Sequence, residues 1–137
     1  MIRVVFDTNI YLSSLFWLGN PRKCIILAKL NKVQAFSSQP IVEEIRSKLI
    51  EKFGVSAEES DTIIDSILSY TTVIKPNSSF KIAINDPDDH KFIDCAVESK
   101  SQFIVSGDRH LLALKKVRNI SILNPTEFLL HCSSLIK

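Results

Sequence analysis

Hydrophobic positions along the chain change period several times, from short runs of adjacent apolar residues to longer stretches spaced by three and four. Such switching is the pattern of an α/β fold with a mainly parallel sheet. IRVVF, residues 2–6, reads as a buried strand, and a helical stretch follows from about Asn9. Asn20 and Pro21 then supply a cap and a first-turn proline for a second helix through CIILAKL. VQAFS is a short second strand. From Pro40 a helix is predicted to carry Ile41, Ile45, Leu49 and Phe53 toward the core, and after Gly54 another begins at Ser56, where SAEE has the form of a capping box. TTVI, residues 71–74, is a third strand, and the loop KPNSSF precedes a helix in NDPDDHKFIDCAVES, with Asn85 or Asp86 as cap and Pro87 in its first turn. FIVS predicts a fourth strand, residues 109–117 a short helix, ISIL a fifth strand, and NPTEFLLHC a last helix capped by Asn124. No repeat or linker interrupts the series. Residues 1–137 are therefore expected to form one domain, a three-layer α/β/α arrangement around a mainly parallel sheet of about five strands.

Composition narrows the class without naming a function. With 45% hydrophobic and 23% charged residues and only three glycines, the chain belongs with globular rather than disordered sequences. Apolar runs are short and broken by charge, and the start MIRVVFD lacks the apolar core of a secretory signal, so the expectation is a cytoplasmic protein without a membrane span. Cys24, Cys95 and Cys132 are odd in number, far apart and set among apolar residues. That suits small buried hydrophobes better than disulfides or a zinc site. The net charge of +2 is too small to announce a nucleic acid, although Arg22-Lys23, Arg46-Lys48 and Lys115-Lys116-Arg118 are local basic clusters.

Carboxylates carry more information. Asp7 ends the first predicted strand and Asp108, in VSGDRHLL, follows the fourth by two residues, so both fall at the carboxyl edge of a parallel sheet, where open α/β sheets place their ligands. Helix capping is the plainer role for one such Asp, and two together weaken it. Asp89, Phe92, Ile93 and Ala96 share one apolar helix face, with Lys91, Asp94 and Glu98 turned away, so Asp89 is expected at the top of a buried face. A carboxylate there must be paired or bound to a metal. In QPIVEEIRSKL, Glu43 and Glu44 flank the stripe of Val42, Ile45 and Leu49 almost symmetrically, and periodicity does not choose between them.

VFDTNI, the Glu-Glu-hydrophobic helix some 35 residues on, DPDDHKFIDCAVES and IVSGDRHLL, in that order and over nearly the whole chain, resemble the PIN-domain (PilT N-terminus) nucleases, closest to the branch described as toxin components of toxin–antitoxin pairs. The resemblance implies that Glu44, immediately before the hydrophobic residue, is the family's acid, and that Asp7, Asp89 and Asp108 complete a catalytic and metal-binding set. Thr8, Asn9 and Ser106 become supporting groups, with Thr8 and Asn9 expected to hydrogen-bond the Asp7 carboxylate and the bend behind it. His90 stands where relatives often carry Asn, and Asp94, on the polar face, is an open additional candidate.

Oxygen ligands without Cys or a His pair suit Mg²⁺ or Mn²⁺ rather than zinc. By resemblance the reaction is metal-dependent hydrolysis of single-stranded RNA, the partners are an antitoxin and a second copy of the chain in a dimer, and the role is growth arrest. Arg46, Lys48, Lys91 and Arg109 are the basic residues nearest the site in sequence, and Arg109 is the expected substrate-binding group. A haloacid-dehalogenase-type phosphotransferase would need a second Asp where Asn9 stands, and a receiver domain a pair of acids after the first strand. A catalytically silent PIN-fold module binding RNA or protein, or a general RNA-processing nuclease, is the remaining alternative.

Overall fold

The computed structural model describes residues 1–76 and 89–135. Its strands are β1 (Arg3–Phe6), β2 (Gln34–Ser38), β3 (Thr71–Ile74), β4 (Phe103–Val105), β5 (Lys116–Val117) and β6 (Ile120–Leu123). The helices are α1 (Thr8–Phe16), α2 (Asn20–Lys29), α3 (Gln39–Glu51), α4 (Ala57–Leu68), α5 (His90–Glu98), α6 (Arg109–Ala113) and α7 (Pro125–His131), followed by a 3₁₀ turn at Ser133–Leu135.

The described strands form one sheet in the order β3-β2-β1-β4-β6-β5, parallel throughout except for the β5–β6 pair. Helices cover both faces, which gives three layers. This explains the unbroken apolar run of β1: Val4, Val5 and Phe6 are all fully buried because a central parallel strand has no solvent face. The Phe6 ring meets Tyr11 and Phe128 edge-on at 5.8 and 6.1 Å, joining α1 and α7 through β1. Across the sheet α5 packs on β1, β2 and β4 through Phe92, Ile93, Cys95 and Ala96. The three cysteines are buried free thiols, as expected of small hydrophobes.

Several local expectations are corrected. The helix expected over residues 109–117 stops at Ala113, and Lys116–Val117 pairs antiparallel with β6 as a sixth strand. Leu111, Leu114 and Val117 imitate a helical stripe, but Lys115 and Arg118 adopt left-handed backbone, with φ of 59° and 53°, and Val117 is buried by pairing with Ile120 instead. Asn20 is the first residue of α2 rather than its cap; Gly19, at φ 141°, occupies that place, and the Asn20 amide donates to Thr126 instead. The α3 helix ends at Glu51, so Phe53 reaches the protein outside the helix and stacks on Phe16 with ring centroids 4.3 Å apart. Ser56 accepts from the Glu59 N–H, half of the expected capping box, whereas Asn124 and Glu127 form a complete one. The cap assigned to Asn85 or Asp86 and the first-turn Pro87 lie outside the described residues.

Candidate active site

The carboxyl edge of the sheet assembles the site. Phe6 pairs with Val105, and one step further the Asp7 N–H donates to the Val105 carbonyl at 3.0 Å, so β4 holds Asp7 at the edge. In the same way the Ser106 N–H donates to the Leu123 carbonyl at 2.9 Å, placing Ser106 beside it.

Asp7 is 3% exposed. Its Oδ1 accepts the N–H groups of Asn9 and Ile10 at 2.8 and 3.2 Å, capping α1, and its Oδ2 accepts the Ser106 hydroxyl. The helix cap and the link to Ser106 thus fall on one residue, divided between its two oxygens. Burial pushes the Asp7 carboxyl above the usual carboxylate range, and although the Ser106, Ile10 and Asn9 donors oppose this, the negative charge of Asp108 adds to it. Ser106 also accepts the Asp108 N–H at 2.9 Å, so one hydroxyl ties the two aspartates together. Asp108 Oδ1 in turn accepts the His110 N–H at 2.7 Å and caps α6.

Asp89 precedes α5 directly, where its side chain makes no capping bond and is 5% exposed. Glu44, on α3, accepts the Thr8 hydroxyl at Oε1 and the Lys91 ammonium at Oε2, the latter at 2.8 Å. Partial burial pushes the Glu44 carboxyl up, but the Lys91 and Thr8 hydrogen bonds, with the charges of Lys91 and Lys48, outweigh it and hold the group below its usual range. Asp7, Glu44, Asp89 and Asp108 line one cleft of about 110 Å³, together with Thr8, Asn9, Lys48, Lys91 and Phe92. The structure therefore separates the two glutamates that the helical wheel did not: Glu43 is exposed and accepts the Gln39 amide at 3.1 Å, outside the cleft.

The supporting groups differ from expectation in detail. Thr8 holds Glu44 rather than Asp7, and Asn9 reaches Asp7 through its main-chain N–H while its side chain is exposed. Arg109 is exposed at the first position of α6 and does not line the cleft, whereas Lys48 and Lys91 do. Lys91, expected on the face turned away, occupies the first turn of α5, where its four-carbon stem reaches across to α3. Two signals pointed to these lysines: Glu44 and Lys48 have the i,i+4 spacing of a helical ion pair, and a lysine in a first turn opposes the helix dipole and so calls for a compensating partner.

The donors are all oxygens, and burial drives the Asp7 carboxyl among them toward protonation, which is the chemistry of a hard divalent cation site. Among the described residues no three His, Cys, Asp or Glu side chains are gathered closely enough to cage an ion directly. Mg²⁺ does not need such a cage, since it keeps several of its waters and takes one or two carboxylates. Residue types and placement thus fit a hydrated ion.

A PIN-domain family model matches residues 3–110. The chain belongs to the PIN-domain family. An uncharacterized protein of Methanocaldococcus jannaschii is 33% identical over 136 residues, covering 91% of this chain and 86% of that one. A crystal structure of VapBC2 from Rickettsia felis, bound to a DNA fragment from their promoter, superimposes with a TM-score of 0.64 at 15% identity, over 90% of this chain and 98% of that one. At that identity the likeness concerns the PIN fold, in which the cleft lies at the carboxyl edge of β1 and β4.

Proposed function

We propose that this PIN domain is an Mg²⁺- or Mn²⁺-dependent endoribonuclease that hydrolyses phosphodiester bonds in single-stranded RNA. The observation that supports it is the convergence of Asp7, Glu44, Asp89 and Asp108, from four separate elements, on one cleft. These four carboxylates would hold the ion, one or two of them directly and the others through its waters, and the ion when bound supplies a water of lowered pKa and neutralises charge on the scissile phosphate. Ser106 keeps Asp7 and Asp108 in register, and Thr8 orients Glu44. Lys48 and Lys91 bring positive charge to the mouth of the cleft, where the flanking phosphates of an RNA strand would lie. Arg109, exposed beside Asp108, is placed to meet the strand outside the cleft.

The biological role proposed is that of a cytoplasmic toxin restrained by an antitoxin protein and acting as a homodimer. The VapBC2 fold relationship supports this branch of the family, and among the described residues no helix is long and apolar enough to cross a membrane. The test is incubation of the purified chain with single-stranded RNA in Mg²⁺ or Mn²⁺ and in chelator. Cleavage that stops in chelator supports the proposal, and unchanged cleavage in chelator overturns the mechanism. RNA bound but never cut would identify a catalytically silent binding module, and cleavage without growth arrest on expression a general RNA-processing nuclease.

A further inference from the structure

Helices α1 and α3 lie side by side and are joined at two points. At the cleft the Thr8 hydroxyl donates to Glu44, and at the far end the rings of Phe16 and Phe53 stack, 10° from parallel with centroids 4.3 Å apart. Trp17 meets both rings edge-on at 6.0 Å, its plane turned 68° from Phe16 and 66° from Phe53. Packing of α1 on α3 accounts for Phe53, which is half-buried, but not for Trp17, which is 57% exposed and closes α1 through its main-chain N–H. Rings held against one another at the surface have little freedom left to lose when a flat partner settles on them.

We propose that the ring cluster of Phe16, Trp17 and Phe53 is a stacking platform for a base of the single-stranded RNA whose backbone enters the cleft. This rests on the nuclease reading above and gives its substrate a second point of attachment. Continuity with the cleft favours it. Asn9, Ser13 and Phe16 have the i, i+4, i+7 spacing of one face of α1, and Glu44 and Lys48 are one turn apart on α3; Asn9, Glu44 and Lys48 line the cleft. The two rows lead along the helices from the cleft to the rings. At 1.5 Å per residue, the span from Thr8 to Trp17 is about 13 Å, a few nucleotides of extended strand. Charge favours a polyanion as the occupant. Lys48 stands one turn further along α3 than Glu44, Lys52 is exposed directly before Phe53, and Arg22 is fixed beside the last turn of α1 by its Nε, which donates to the Ser14 carbonyl at 2.9 Å. Glu51, exposed in the last turn of α3, is the acid beside them. Aromatic faces flanked by lysine and arginine suit a single strand of any sequence, because the cations take phosphates and every base has a face to stack.

Trp17 is the sole tryptophan of the sequence, so its fluorescence reports this surface directly. In the whole chain carrying Asp7→Asn, which leaves the strand uncut, an oligoadenylate of about twelve nucleotides should quench that fluorescence in Mg²⁺, and an oligomer of abasic sugars should not. By anisotropy of labelled oligoadenylate, adding Trp17→Ala should weaken binding about tenfold, and Trp17→Tyr, which keeps an aromatic face and guards against a folding defect, should retain most of the affinity. In the active chain Trp17→Ala should raise KM by a similar factor and spare kcat. Binding without quenching, or unchanged affinity in Trp17→Ala, overturns the inference and leaves the nuclease reading standing. Loss of a dimer in Trp17→Ala at unchanged RNA affinity also overturns it and assigns the rings to a contact between protein chains. Quenching and weakened binding as expected, with no cleavage by wild type, would keep the platform and overturn the nuclease reading.

Discussion

Ser106 and Asp7 are 99 positions apart in the chain and joined by a hydrogen bond, the Ser106 hydroxyl donating to Asp7 Oδ2. The same hydroxyl accepts the Asp108 N–H. Asp7 and Ser106 are buried, so Ser106 ties the Asp7 carboxylate to the main chain of Asp108, whose negative charge repels it. Ser106→Ala should therefore lower stability by about 1–3 kcal/mol in chelator at neutral pH, since it leaves buried polar groups without a partner. It should also weaken Mn²⁺ binding by about 10- to 100-fold. Chemical denaturation and Mn²⁺ titration check the two effects, and a loss of stability with unchanged Mn²⁺ affinity would confine Ser106 to a structural role.

Asp7→Asn and Asp108→Asn should each abolish RNA cleavage while the fold survives. Asparagine keeps an oxygen that can cap a helix, so α1 and α6 retain their starts. Removing one charge relieves repulsion, and the melting temperature in chelator should hold steady or rise. A large fall would show that capping by the charged group is the main role of these residues.

The buried carboxyl of Asp7 gives the pH dependence a definite sign. Its pKa in the folded protein is raised above the usual 3.8. Between those two values the folded state binds more protons than the unfolded one, so stability falls as pH rises through this window and stays at the lower level above it. The Asp7→Asn protein lacks this contribution. Its melting temperature relative to wild type, measured in chelator, should grow as pH rises above 3.8 through the raised pKa of Asp7. Saturating Mn²⁺ should remove that advantage, because the ion binds the ionised carboxylate of wild type.

Glu43 and Glu44 are neighbours with opposite expectations. Glu44→Gln removes the charge that holds Lys91 and should reduce cleavage by about tenfold or more, as loss of an electrostatic group at a reacting phosphate does. Glu43→Gln changes an exposed side chain and should stay within about 0.5 kcal/mol of wild-type stability with unaltered activity. Parallel kinetic assays of the two proteins decide between them, and the reverse ranking would refute the placement of α3.

The sequence by itself determined the alternation of strands and helices, the position of Asp7 and Asp108 at strand ends, and the buried face of α5, because these depend on the period of apolar residues and on local capping chemistry. It left Glu43 and Glu44 open, since both border the same stripe and the choice turns on how α3 is rotated against β1 and α5. It also misjudged residues 109–117: a leucine and valine spacing of three suits a helix, but two left-handed residues and the open edge of β6 make Lys116–Val117 a strand. Asp7 with Ser106, and Glu44 with Thr8 and Lys91, are contacts between distant segments, and no local pattern encodes them. They arise because parallel pairing of β1 with β2 and β4 brings the ends of these strands to one edge, where short polar side chains from each following segment meet. Lys91 is the clearest case: a helical wheel turns it away from Asp89, and only the arrival of α3 across the sheet edge supplies the carboxylate that draws it into the cleft.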